Sequence, residues 1–108
     1  MAFVGGAWRS GQAGDIAGAA ATCTTGSLST PSGARKQVIT QTVTGTGYDS
    51  TCVIYANYAP LPTTFLSATQ VRTTAFNTTP DSGAPGTIPI GVRKGTQALS
   101  NTVNFTAS

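Results

Sequence analysis

The sequence predicts an all-β chain: a small antiparallel β-sandwich or barrel of about six strands, preceded by an extended N-terminal arm. From Thr22 onward, short runs of β-branched and apolar residues alternate with Gly, Pro, Asn and Asp clusters, and no ten-residue segment shows a 3.6-residue apolar period. Threonine accounts for 20 of the 108 residues, as many as Leu, Ile, Val and Phe together, so β-branched but polar side chains stand where a larger aliphatic complement would be. Charged residues make up only 8% and the net charge is +3, so the chain lacks the charge that keeps weakly hydrophobic sequences unfolded. A chain of this length forms one domain and buries roughly 65% of its unfolded surface, a modest core that neighbouring subunits are expected to supplement.

Residues 1–21 read as the arm. They are rich in Gly and Ala, and their large apolar side chains are Phe3, Val4, Trp8 and Ile16. Asp15 could cap a short helix from Ile16 to Ala21, but Gly18 opposes it, leaving a flexible arm, extended or partly disordered, as the expectation. Residues 22–108 read as the β domain. Its strands are expected at Ala21 to Leu28, Lys36 to Thr44, Thr51 to Tyr58, Thr69 to Phe76, Thr87 to Arg93 and Thr96 to Ala107.

The cluster Gly45-Thr46-Gly47-Tyr48-Asp49-Ser50 is expected to join the second and third of these as a hairpin. The third, Cys52 to Tyr58, is apolar on both parities and should be central or covered on its second face, with Pro60 and Pro62 ending it. Lys94-Gly95 should close a final hairpin in which Ile88, Ile90 and Val92 share one face and Leu99, Val103, Phe105 and Ala107 share a parity on the partner. The stretch Asn77 to Gly86, NTTPDSGAPG, reads as a polar surface loop able to carry contacts through Asn77, Thr79 and Asp81. Such a strand set suits an immunoglobulin-like or jelly-roll-like sandwich.

The inventory for chemistry is short. There is no His and no Glu, and the acids are Asp15, Asp49 and Asp81, in the arm, a turn and a loop, where Asp usually bonds local backbone. A serine or cysteine nucleophile would lack its histidine base. Two cysteines without histidine cannot close a zinc site, three scattered aspartates do not make a calcium loop, and no phosphate-binding glycine motif follows a strand. The reading is therefore a non-enzyme without cofactor. Cys23 and Cys52 both fall in expected strands: as a disulfide they would close a loop contributing roughly 3.5 kcal/mol, and as buried thiols they would act as small apolar residues, which cytosolic synthesis favours.

The start MAFVGGAWRSGQAGD shows no signal-peptide pattern and no run reaches bilayer-spanning length, so synthesis in the cytoplasm without membrane insertion is expected. On that reading the acceptor patterns at Asn77 and Asn104 are chance matches.

In size, leaderless start, N-terminal arm, low charge and Thr/Gly/Ala-rich β body, the chain resembles small β-rich virion proteins of tailed bacteriophages, particularly the decoration or cement proteins that clip onto capsids. The resemblance implies many copies in the virion, arranged as a homo-oligomer or lattice that bridges and reinforces the shell, with the major capsid protein or another virion protein as partner. It assigns no individual residue. The residues themselves add an arm able to anchor on a partner through Phe3, Val4, Trp8 and Arg9. Two other readings remain: an immunoglobulin-like adhesion module on a tail or fibre, and a small barrel stacking nucleic-acid bases on Tyr55, Tyr58 and Phe76. The second is disfavoured because only six scattered cations are present.

Overall fold

The computed structural model describes residues 19–108. They form nine strands: β1 (Thr24–Leu28), β2 (Ser32–Gly33), β3 (Val38–Thr46), β4 (Cys52–Ala56), β5 (Ala59–Pro60), β6 (Thr64–Ser67), β7 (Gln70–Asn77), β8 (Gly86–Lys94) and β9 (Val103–Ala107). One sheet has the order β1-β3-β7-β6 and the other β2-β9-β8-β4-β5. The expected sandwich is present, the two sheets stay separate rather than closing into a barrel, and no helix occurs among the described residues. This strand order is that of the immunoglobulin-type sandwich, in which the first strand splits between the two sheets. Neither cysteine lies on β3 or β8, the strands that carry the inter-sheet disulfide of antibody domains, and Ile54 occupies the β4 core where those domains place a tryptophan.

The core is thin but closed. Val43, Val71 and Phe76 from one sheet meet Ile54, Ile88, Ile90, Val92, Phe105 and Ala107 from the other. Phe76 and Phe105 pack edge to face with ring centroids 4.9 Å apart, bridging the two sheets. The alternation expected for the last hairpin holds on β8, where Ile88, Ile90 and Val92 point inward, and on β9, where Phe105 and Ala107 do. Its second strand is shorter than expected: residues 96–102 form a loop touching β8 through the Arg93–Leu99 bridge, and Gly95 turns the chain at φ 56°.

Three further expectations fail for physical reasons. The Gly45–Ser50 cluster is not a hairpin turn; β3 and β4 lie in different sheets, so the cluster is a corner between them. Gly45 is required there because an added Cβ would stand 1.9 Å from the Thr24 carbonyl oxygen and 2.2 Å from the Tyr48 hydroxyl. The third predicted strand stops at Ala56, since Asn57 and Tyr58 adopt φ 50° and 65° and make a two-residue hairpin turn into β5, which contains Pro60 instead of being ended by it. The strand is therefore next to the edge, with Val53 and Tyr55 half-buried. Finally, the sandwich is not wholly antiparallel: β2 runs parallel to β9, with Ser32 opposite Thr106 and Gly33 opposite Ala107.

That parallel strand follows from how the chain leaves β1. Pro31 has no N–H to extend the β1–β3 ladder, and its carbonyl instead accepts the Thr106 N–H. The crossing is held by Gln41, fully buried on β3, whose amide donates to the Thr30 carbonyl (2.7 Å) and accepts from the Thr30 N–H (2.8 Å). A side-chain amide thus stands in for a missing strand at the switch between sheets.

Candidate interaction surfaces

Asn77, Thr79 and Asp81, expected on a contact loop, do come together. With Pro80, Asn57, Ala56, Leu61 and Ile88 they line a shallow cleft of about 150 Å³ at one end of the sandwich. Two contacts build it. The Asn57 amide on the β4–β5 turn donates to the Asp81 carboxylate at 2.5 Å, and Asn77 Oδ1 accepts the Thr79 N–H at 2.9 Å. Thr78 between them is buried, its hydroxyl donating to the Ala34 carbonyl and accepting the Gln37 N–H, so the base of the loop is pinned while residues 81–85 are exposed. Asp81 therefore bonds a side chain on a distant turn rather than the local backbone the sequence suggested. Asp49 does behave as expected: it accepts from the Thr51 hydroxyl and N–H, and these bonds hold its carboxyl below the usual range.

The outward face of the β1-β3-β7-β6 sheet is the larger surface. Its four strands contain one charged residue, Arg72, and their outward positions are mostly Thr, Ser and Gln. Arg72 Nε is shielded from solvent and meets no hydrogen-bond acceptor. On the edge strand β6, Phe65 and Leu66 are each 41% exposed, two of the three large apolar side chains exposed among the described residues; Val38 is the third. Sequence reasoning missed β6 because four residues between Pro62 and the Ala68-Thr69 turn read as a connection. The signal was the Thr-Phe-Leu-Ser run itself, a β-favouring tetrapeptide.

Two of the five cations among the described residues, Arg35 and Arg93, are engaged within the chain. Arg35 donates to the Gly83 and Ser108 carbonyls, and Arg93 to those of Gln97 and Thr96 and to the Tyr55 hydroxyl. Of the aromatic residues considered for base stacking, Phe76 is core and Tyr55 and Tyr58 are half-buried.

Cys23 and Cys52 are free thiols in the same buried cluster. The Cys23 thiol donates to the Val92 carbonyl at 3.5 Å, and Cys52 Sγ accepts the Asp49 N–H at 3.3 Å. Burial pushes both thiols up. Among the described residues no three Cys or Asp side chains gather as a metal-binding group, and no helix is long and apolar enough to cross a membrane. The arm residues Phe3, Val4, Trp8 and Arg9, together with Asp15, lie outside the described residues.

No family model fits the chain, and no curated protein is significantly similar to it.

Proposed function

We propose that the protein is a non-catalytic structural module that attaches to a protein shell, in the manner of the decoration proteins it resembles, using the outward face of its four-stranded sheet. The observation that carries this reading is the near absence of charge on that face. A partner covering it desolvates hydroxyls and amides that can re-pair across the contact, and meets one guanidinium in place of the several charges an ordinary surface presents. Arg72 then has a specific role: as the one charge on the face, its guanidinium is the group a partner carboxylate or carbonyl would meet.

The engagement of Arg35 and Arg93 by carbonyls of their own chain supports a protein partner over nucleic acid. The immunoglobulin-type strand order favours one second reading, an adhesion module on a tail or fibre whose contact is the Asn57–Asp81 cleft.

Imaging of purified particles separates these readings. Shell attachment gives symmetric density over the whole capsid, with the four-stranded sheet facing it. Density at a single vertex supports the adhesion module, and absence of the protein from particles overturns both. Arg72→Glu should lower shell occupancy at least about tenfold, the scale of one lost buried charge contact, with the melting temperature of the free protein little changed.

A further inference from the structure

The sandwich has four sheet edges, and three are closed by identifiable devices. On β1, the Asn101 amide accepts the Thr25 N–H (2.9 Å) and donates to the Thr25 carbonyl (2.7 Å), occupying the place of a neighbouring strand. β2 and β5 are two residues long, one following Pro31 and the other containing Pro60, so neither offers a ladder to extend. The fourth edge, β6, is four residues long with a register shift between Phe65 and Ser67, but no side-chain amide among the described residues caps it. It contains no charge and no proline, nothing among the described residues pairs with its outer side, and it presents Phe65 and Leu66. Edges of this kind are where an extended segment adds as a further strand.

We infer that the outer edge of β6 is completed by the N-terminal segment of a second copy of this chain, with Phe3 and Val4 packing beside Phe65 and Leu66. Eighteen residues precede the described body, and extended they reach about 60 Å, several times the width of the sheet. They carry one arginine and one aspartate, so pairing them along an uncharged edge strands no excess charge. The point of departure, at the sheet edge opposite β6, favours a neighbour over the chain's own edge, which a segment of this length could also reach. Ala19 is tied to the β8–β9 loop by the Ala98 N–H, and β1 lies at the edge of its sheet opposite β6. Between them stands the β3–β4 corner, whose Gly45 and Tyr48 N–H groups already cap the β6–β7 turn at Thr69 and Ala68. Direct β6-to-β6 pairing is the weaker alternative because two four-residue strands bury far less than the roughly 1,000 Å² a stable contact needs. The inference concerns contacts between copies and does not depend on the shell reading.

Sedimentation velocity on the purified full-length protein tests it, with no other component present. Wild type is expected to associate, while Leu66→Lys, which damages the acceptor edge, and Phe3→Asp/Val4→Asp, which damages the donor, are each expected to be monomeric. An equimolar mixture of the two variants should regain a heterodimer, since one retains a donor and the other an acceptor. Hydrogen exchange gives a reading independent of how Leu66→Lys folds: amides of residues 64–67 should exchange about tenfold more slowly in wild type than in Phe3→Asp/Val4→Asp. A monomeric wild type, an associating donor variant, a mixture that stays monomeric, or unchanged exchange on β6 would each overturn the inference.

Discussion

At the scale of single residues, the fold depends on positions whose importance a one-dimensional pattern conceals. Gln41 reads as an ordinary polar residue in a strand, yet it is fully buried and forms both hydrogen bonds to the Thr30 backbone where the chain changes sheets. Replacing it with leucine fills similar volume but leaves the Thr30 N–H and carbonyl without partners, so Gln41→Leu should cost about 2–4 kcal/mol in denaturant unfolding. Gly45 is a second case. Its φ is not positive, and what excludes a side chain is the close approach of Thr24 and Tyr48 across the corner. Gly45→Ala should therefore destabilise by more than about 4 kcal/mol, near the whole stability of a domain this small. An intermediate unfolding midpoint with native near-ultraviolet dichroism would show that the corner can relax.

At the scale of elements, legibility follows what holds each strand. β3, β7, β8 and β4 are read from the sequence to within a few residues because their inward positions repeat with period two and their own side chains make the core. β2, β5 and β6 are missed because two to four residues carry no period; tertiary pairing alone makes them strands. The Gly45–Ser50 cluster misleads because a glycine-rich turn looks the same whether its strands pair or part. The candidate surfaces were legible in the same uneven way. The loop at Asn77, Thr79 and Asp81 announces itself by composition, whereas its partner Asn57 is drawn in by the hairpin that Asn57 and Tyr58 form at positive φ. Asn57 tolerates that backbone and also clamps Asp81, so Asn57→Ala should cost about 1–2 kcal/mol and speed hydrogen exchange in residues 79–84, while exchange in β9 is unchanged. Equal effects in both places would mean global loosening rather than a released loop.

At the scale of the whole molecule, the titratable groups define how stability should depend on pH. With no His and no Glu, the described body lacks the side-chain types that ordinarily titrate between about pH 5 and 8, so the melting temperature should be flat there. On the alkaline side three acids are buried in one region: Cys23, Cys52 and Tyr48, whose hydroxyl donates to the Thr24 carbonyl and is pushed up to about 12 by burial. Each holds its proton more tightly folded than unfolded, so their contribution is intact below the unfolded thiol value near 8.5 and is lost as pH rises through the raised folded values toward about 12. Asp49 has the opposite sign: its lowered value supports stability above about pH 4, lost on acidification. The expected curve is a broad plateau with a steep alkaline edge beginning near pH 9. Cys23→Ala/Cys52→Ala should lower the plateau through lost packing but move the onset of the edge upward, toward the ionisation of Tyr48 alone. If the edge stayed at the same pH in that variant, the thiols would not be its origin.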